Sequence, residues 1–337
     1  MKAAVFYGPR NIRLEERAKP KLADDSISIR VKWSSLCGTD NHIYRGNFDV
    51  KTPLILGHDF SGTVDEVGSK VTRLSVGDKV VAEPIRYCGT CPTCLKGRYT
   101  ICENRAIMGI QIDGSLAKYV VAPEKNVFAI PNGVSFQEAA TMEPAAVALH
   151  SMDYAKPVAG ETVVILGQGP IGLLHTQVAR ISGLTVTAVD ILDHRLELAK
   201  KLGADYAINP SKEDLVGKVR SFTNRGADII IDTSGSVKTT EITPFLASPA
   251  GRIIVVGSSK ELMTHGPPAE MILTKELSIY GVAGAPLKYP RALALVGNKK
   301  LDVKTLITHR IKLSMINEAF RLFDDPRMIK TLVESSG

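Results

Sequence analysis

Long apolar runs are missing from this sequence: none is long enough to cross a membrane, and none near Met1 would form a signal-peptide core. Aromatic residues are scarce, at 6% of 337 residues with a single tryptophan, and they do not alternate with basic residues as in nucleic-acid-binding proteins. The net charge of +7 comes from scattered Lys and Arg residues, which indicates a solvated surface with a mild attraction for anionic cofactors or substrates. We therefore expect a cytoplasmic protein that acts on small molecules, with neither a membrane nor a nucleic acid as partner.

Cysteine is also rare, and its distribution is uneven. Of five cysteines, four lie between Cys88 and Cys102 in a sequence without a secretory signal. This pattern favours metal binding over disulfide bonds. With 44% apolar and 23% charged residues, the chain has the composition of a soluble globular protein, and its length suits two domains.

The first 130 residues are typical of short strands and turns. Apolar side chains alternate with polar ones from Ser26 to Trp33, which predicts a strand with one buried face that delivers Cys37 to a turn. This half is predicted to be mainly antiparallel β-structure, compatible with a small barrel. A capping box at Ser135 and Glu138 opens a helix, and Glu143, which precedes Pro144, is predicted to lie at a joint between helices.

The residues after a boundary near 157–161 alternate between strand and helix patterns. Strands are predicted at 162–166, 185–190, 228–232, 252–256 and 277–282, with helices at 170–182 and 193–202. Such alternation predicts an α/β domain with a parallel sheet and helices on both faces. A further helix at 314–323 and a short strand at 331–333 follow.

The four clustered cysteines, Cys88, Cys91, Cys94 and Cys102, follow the pattern C-x2-C-x2-C-x7-C. Four thiolates can close a tetrahedral shell around zinc and leave no position for substrate, so this site is predicted to be structural. Four free cysteines and an iron-sulfur cluster are the alternatives, and the spacing does not match the common ferredoxin patterns.

A glycine-rich turn follows the first predicted strand of the second half. Gly167 to Gly172 fits G-x-G-x-x-G and opens a predicted helix, and Asp190 ends the next strand. This context predicts a dinucleotide site, in which the helix start attracts the pyrophosphate and the acid holds the ribose. Asp190 would repel a 2′-phosphate and favours NAD, while Arg195 keeps NADP open. The residues assigned to cofactor binding are Gly167, Gly169, Pro170, Ile171, Gly172, Asp190 and Arg195.

A second metal site is predicted from a thiol, an imidazole and carboxylates: Cys37, His58, Asp59 and, at a distance, Glu143. Three such ligands leave the fourth position of a zinc ion open, which is typical of a catalytic site. Thr39 and His42 are candidates for a proton path. The remaining histidines are predicted to be structural or surface residues: His150, His175, His194, His265 and His309.

Together these motifs resemble the zinc-dependent medium-chain dehydrogenase/reductase superfamily. The family signature G-H-E-x2-G-x5-G-x2-V is matched by Gly57, His58, Gly62, Gly68 and Val71, with Asp59 in place of glutamate. The Cys-Gly-Thr-Asp segment at 37–40, the cysteine lobe and the glycine turn occur in the family's order. Glu143-Pro144 and the acid after His58 resemble the polyol, sugar and threonine dehydrogenase branch.

The resemblance implies a GroES-like β-barrel catalytic domain with both zinc sites at 1–152, a doubly wound Rossmann domain at 153–290, and a segment at 291–337 that returns to the first domain. It also implies a homodimer or homotetramer with two zinc ions per chain.

The activity it implies is hydride transfer between a secondary alcohol of a polyol or sugar-derived substrate and NAD, with NADP possible. Cys37, His58 and Asp59 would hold the catalytic zinc, with Glu143 as an alternate or additional ligand; Thr39 and His42 match a proton relay, and Tyr44 a substrate pocket. The alternatives are a threonine-type dehydrogenase, a metal-independent reductase of this fold, and an NAD-binding protein without turnover.

Overall fold

The computed structural model describes residues 1–257, 259, 262 and 266–335. The chain forms two compact units. The first comprises Met1–Glu143, Ala285–Lys299 and Val303–Gly337, and the second comprises Pro144–Gly284 and Lys300–Asp302. The predicted domain boundaries after residues 152 and 290 stay a prediction.

The strands, in chain order, are β1 (Lys2–Gly8), β2 (Asn11–Glu16), β3 (Ser26–Ser35), β4 (Leu54–Ile55), β5 (Asp59–Val67), β6 (Lys79–Ala82), β7 (Ile85–Arg86), β8 (Ala106–Ile107), β9 (Tyr119–Pro123), β10 (Val127–Ala129), β11 (Thr162–Leu166), β12 (Thr185–Val189), β13 (Tyr206–Ile208), β14 (Ala227–Asp232), β15 (Ala247–Val255), β16 (Ser278–Gly281), β17 (Ile307–Lys312) and β18 (Lys330–Glu334). The α-helices are α1 (Gly38–Tyr44), α2 (Pro92–Leu95), α3 (Phe136–Ala139), α4 (Met142–Ala155), α5 (Pro170–Ile181), α6 (Asp193–Lys201), α7 (Leu215–Thr223), α8 (Val237–Leu246), α9 (Ala269–Thr274), α10 (Tyr289–Gly297) and α11 (Ile316–Arg321).

The first unit is built around a sheet with the strand order β10-β6-β5-β3-β18-β17, in which β9 also pairs with β3. The predicted alternation along β3 is present in its middle part, where Ile29 and Val31 are buried and Arg30 is exposed. The strand β18, near the end of the chain, pairs antiparallel with β3, so Leu332 lies opposite Ser35. This pairing places residues from both ends of the chain beside the segment that carries Cys37.

The second unit contains a parallel sheet with the order β13-β12-β11-β14-β15-β16. Counted from β11, this is the order 3-2-1-4-5-6 of dinucleotide-binding domains. Its central strand β11 carries a continuous apolar run at 163–166 that is fully buried, because a parallel sheet with covered faces buries side chains on both sides. The predicted α/β class and parallel sheet are confirmed.

No helix in the described part of the chain combines the length and apolar character needed to cross a membrane.

Candidate active site

The site begins where β3 ends and Cys37 caps the N-terminus of α1. The side chain of Asp40, in the first turn of this helix, is fully buried and bonds two backbone groups. Its Oδ2 accepts from the N–H of Cys37 at 2.9 Å, and its Oδ1 accepts from the N–H of Gly57 at 3.1 Å. Asp40 therefore fixes Cys37 relative to the residue that precedes His58.

The imidazole of His58 is buried between two carboxylates. Its Nδ1 lies 3.6 Å from Oδ1 of Asp40, and its Nε2 lies 4.0 Å from Oδ1 of Asp59. Burial lowers the pKa of His58, but the charges of Asp40 and Cys37 outweigh it and hold the pKa well above its usual value. In metal sites, a carboxylate beside one ring nitrogen orients the histidine so that the other ring nitrogen can bind the metal.

Asp59, the first residue of β5, forms a buried ion pair with Lys330. Their Oδ2 and Nζ atoms are 2.9 Å apart, and the side chains are 0% and 4% exposed. Burial lowers the pKa of Lys330, but the carboxylate of Asp59 outweighs this and raises it. Oδ1 of Asp59 has no hydrogen-bond partner among the residues that the structure describes. One carboxylate oxygen is thus held by Lys330, and the other is available to a ligand.

Glu143 lies in the first turn of α4, just after the joint with α3. Burial and the carboxylate of Asp59 raise the pKa of Glu143 to about 7, against the opposing charges of His58 and Lys330. The raised pKa means that ionisation of Glu143 is unfavourable in this environment. A bound cation would stabilise the ionised carboxylate.

The donor set fits zinc chemically, because a thiol, an imidazole and two carboxylates are its usual ligands. The unpartnered oxygen of Asp59 and the raised pKa of Glu143 are two features that a cation would satisfy. As placed, however, the ligand atoms are more widely spaced than in the cysteine lobe. Within the described residues, only the four cysteines bring three or more ligand atoms all within 4.8 Å of one another.

The other residues predicted for this site lie on α1. The hydroxyl of Thr39 is 3.8 Å from Sγ of Cys37, and His42 is exposed. The ring of Tyr44 stacks on Phe320 with centroids 4.4 Å apart. The proton-path roles of Thr39 and His42 and the substrate contact of Tyr44 stay predictions.

Asp40 and Lys330 were missed by the sequence reasoning. Asp40 carried a usable signal, because an acid three residues after a capping position often bonds the start of its own helix. Lys330 carried none, because its 271-residue separation from Asp59 is bridged only by the pairing of β18 with β3.

The predicted cysteine lobe is assembled as a cage of thiols. Sγ of Cys102 lies 3.5 Å from that of Cys88 and 3.9 Å from that of Cys91, while Cys88 and Cys94 are 4.0 Å apart. Backbone N–H groups of Thr90 and Cys91 donate to Cys88 and lower its pKa to about 5. The cysteines described are all free thiols, and their spacing fits a structural zinc ion.

The glycine turn lies between β11 and α5, at the point where the strand order of the second unit reverses. Gly167 has a φ of +89°, and a Cβ on Gly172 would lie 1.8 Å from the carbonyl oxygen of Gly167. By contrast, a Cβ on Gly169 would meet no atom of the described chain within 4 Å. The backbone at Gly169 is therefore open to a ligand at the N-terminus of α5, as a pyrophosphate requires.

Asp190 anchors this turn from the end of β12. Its Oδ2 accepts from the N–H of Gln168 at 2.7 Å, and its Oδ1 accepts from the N–H of Leu192 at 2.9 Å. Nη1 of Arg195 lies 3.8 Å from Oδ2 of Asp190. An acid and a cation thus lie together at the position expected for the adenosine ribose.

His175 and His194 lie in the helices α5 and α6 of the second unit. His175 is buried in α5, with Nδ1 2.8 Å from the carbonyl oxygen of Ile171. His265 lies outside the described residues.

Two protein-family models match the chain. One, described as an alcohol dehydrogenase GroES-like domain, matches residues 23–132, and the other, described as a zinc-binding dehydrogenase, matches residues 170–298. Together they cover the segments that carry the candidate metal sites and the glycine turn, apart from Gly167, Gly169 and Glu143.

Similar proteins cover nearly the whole chain. D-xylulose reductase A of Aspergillus oryzae is 37% identical over 98% of this chain and 95% of its own length, and sorbitol dehydrogenase of Halalkalibacterium halodurans is 35% identical over 99% of both. The crystal structure of an alcohol dehydrogenase from Escherichia coli CFT073, complexed with NADH, is 32% identical with a TM-score of 0.93 over 99% of each chain.

Proposed function

The chain belongs to the zinc-binding dehydrogenases with a GroES-like domain, and from this we propose that it is a zinc-dependent oxidoreductase acting on polyols. It transfers a hydride between a secondary alcohol of a polyol or sugar-derived substrate and NAD(P). The observation that carries this proposal is the buried His58, with Asp40 at one ring nitrogen and Asp59 near the other, beside Cys37. Relatives named as reducing xylulose or oxidising sorbitol support the substrate class.

We propose that Cys37, His58 and a carboxylate of Asp59 or Glu143 hold the catalytic zinc. When bound, the ion supplies Lewis-acid polarisation of the substrate hydroxyl, which lowers the pKa of that hydroxyl. Asp40 orients the imidazole from the far side of the ring, and Lys330 keeps the side chain of Asp59 in place by holding its second oxygen. These contacts limit the motion of the ligands before substrate arrives.

The reaction removes one proton and one hydride from the substrate. The substrate hydroxyl loses its proton through the proposed path of Thr39 and His42, and the carbinol carbon transfers hydrogen with its electron pair to the nicotinamide ring. The products are a ketone, reduced cofactor and a proton. The contact between the hydroxyl of Thr39 and Sγ of Cys37, 3.8 Å apart, supports this role of Thr39.

The cofactor binds at the turn from Gly167 to Gly172, with Pro170 and Ile171 forming the start of α5. We propose that Asp190 holds the adenosine ribose and favours NAD, because a second negative charge on a 2′-phosphate would be repelled. Arg195 lies near enough to Asp190 to moderate this repulsion, so NADP is expected to bind more weakly rather than not at all.

We propose that the protein is a homodimer or homotetramer. Among the described strands of the parallel sheet, β16 is an edge strand, and its Ile279 is 38% exposed. Leu273 on the neighbouring α9 is 77% exposed. Light scattering on the purified protein should give two or four times the 36.4 kDa chain mass, and a monomer at micromolar concentration would contradict this.

A cytoplasmic location is also proposed, because four thiols held for zinc persist where cysteines stay reduced.

The function is tested with a panel of alcohols and both nicotinamide cofactors. The panel contains sorbitol-like polyols, aldonates, sugar phosphates, inositol-type rings and threonine, with formation of reduced cofactor followed by absorbance. We expect turnover with at least one polyol, faster with NAD than with NADP. Turnover restricted to threonine would assign the chain to the amino-acid branch, and binding of NAD without turnover of any alcohol would contradict the proposal.

A further inference from the structure

A cleft in the first unit is lined by basic side chains that the proposed function does not use. The cleft has a volume of about 350 Å³, and three cations line it: Arg17, Lys21 and Arg86. A volume of this size falls within the roughly 300–1,000 Å³ of small-molecule sites. The described residues that line the cleft include none of the proposed zinc ligands, so it is a second cavity beside the candidate active site.

The guanidinium of Arg86, at the end of β7, is half-buried and incompletely paired. Its Nη2 donates to the carbonyl oxygen of Val121, while its Nε is buried and has no hydrogen-bond partner in the described structure. Burial lowers the pKa of Arg86, and the charge of Asp25 opposes this only in part. Because the charge is delocalised over the guanidinium, an anion in the cleft would offset the cost of burial without contacting Nε itself.

The other two cations lie on the segment between β2 and β3. Lys21 is exposed, and it forms no ion pair or hydrogen bond with the residues that the structure describes. Nη1 of Arg17 lies 3.4 Å from Oε1 of Glu15, with the two side chains 37% and 29% exposed. Such a solvated pair is weak, so both cations remain available to an anion.

The one acid that lines the cleft, Asp113, is engaged with the backbone. Its Oδ1 accepts from the N–H of Ile55 at 2.9 Å, and the N–H of Gly114 donates to the carbonyl oxygen of Ile55 at 2.8 Å. These bonds fix this part of the wall. Ile55 and Val120 add apolar surface to the cleft, which suits the carbon skeleton of an organic ligand.

We propose that this cleft binds a small organic anion whose phosphate or carboxylate group is held by Arg86, Arg17 and Lys21. Among the charged residues that line the cleft, cations outnumber acids by three to one, which favours a negatively charged ligand. Arginine presents its N–H donors in a fork that matches both phosphate and carboxylate. The inference goes beyond the proposed function and does not depend on it.

The test is calorimetric binding of phenyl phosphate and of benzoate to wild type saturated with NADH. These probes share one carbon skeleton, carry no alcohol to oxidise, and distinguish a phosphate site from a carboxylate site. We expect one molecule of at least one probe to bind per chain, with affinity that falls as sodium chloride is raised from about 0.05 to 0.5 M. The tighter probe should also raise the thermal midpoint of wild type.

Two sets of variants assign that binding to the cleft. Arg86→Met should weaken the tighter probe by at least about tenfold, because charge-assisted hydrogen bonds are lost. The double variant Arg17→Met and Lys21→Met changes more exposed side chains and should also weaken it, which keeps the test decisive if Arg86→Met does not fold. Lys312→Met is the matched control, since Lys312 is another exposed lysine of the first unit that does not line the cleft.

The proposal is supported if either set of variants weakens binding while Lys312→Met leaves it unchanged. It is overturned if neither probe binds to wild type, or if every folded variant binds as tightly as wild type, which would place the anion elsewhere. An equal loss in Lys312→Met would also overturn it, because the effect would then come from surface charge in general.

Discussion

Lys330 and Asp59 form an ion pair with almost no solvent contact, so neither charge can be rehydrated if the other is removed. Lys330→Met leaves a carboxylate without its cation and should lower the free energy of unfolding by about 3–5 kcal/mol. Urea denaturation of the purified variant measures this loss.

An exposed pair provides the matched control for that change. Lys70 and Asp24 are 3.3 Å apart with side chains 72% and 65% exposed, so Lys70→Met should cost less than about 1 kcal/mol. Adding Asp59→Asn to Lys330→Met should recover part of the stability, because the unpaired charge is gone. Equal effects of the Lys330 and Lys70 substitutions would show that the buried pair is not electrostatically important.

Asp190 offers a test of cofactor choice at a single side chain. Asp190→Ala removes the proposed ribose acceptor and the charge that opposes a 2′-phosphate, so affinity should fall more for NAD than for NADP. Fluorescence titration with each reduced cofactor measures the two dissociation constants. An unchanged preference would reject the assigned ribose contact.

At the scale of elements, the turn from β11 into α5 places two glycines under different constraints. Gly172→Ala would drive a methyl group to 1.8 Å from a carbonyl oxygen, so the variant should lose several kcal/mol of stability or fail to fold. Gly169→Ala meets no protein atom, and it should change the thermal midpoint little while weakening NAD binding. Thermal unfolding with and without NAD separates the two effects, and a stable Gly172→Ala that binds NAD normally would contradict this account of the turn.

The helix α5 also carries a group that is sensitive to acid. Burial lowers the pKa of His175 to about 4 from an ordinary value of 6.5, and its Nε2 has no partner in the described structure. Below pH 6.5 the imidazole of His175 is protonated in the unfolded chain but stays neutral in the folded chain. The free energy of unfolding therefore falls as the pH drops from about 6.5 towards 4.

This histidine should contribute about 2 kcal/mol to the loss of stability between pH 8 and pH 5. His175→Leu should reduce the difference between those two pH values by that amount, as measured by urea denaturation at each pH. The same pH dependence in the variant and in wild type would show that other groups cause the acid sensitivity.

At the scale of the whole molecule, the features that depend on residues close together in the sequence could be predicted from local patterns. Apolar runs and glycine positions predict the strand at 162–166 and the helix that begins at Pro170, and both elements are present. The cysteine lobe was also predictable, because its four ligands lie within fifteen residues of sequence.

Contacts between segments that are far apart in the sequence could not be predicted from local patterns. Lys330 reaches Asp59 only because β18 pairs with β3. No spacing rule connects these positions, since their proximity depends on how the whole first unit folds. The resemblance to known dehydrogenases indicated the candidate ligands but not the side chains that contact them.

We propose that a metal site at His58 enables hydride transfer from a polyol to NAD. It is tested most directly by zinc analysis and NADH formation on the same preparations of wild type and His58→Ala. We predict two zinc ions per chain and polyol oxidation for wild type, and one zinc ion, held by the cysteine lobe, without detectable oxidation for the variant. Retained polyol oxidation by a variant that holds one zinc ion per chain would contradict the account.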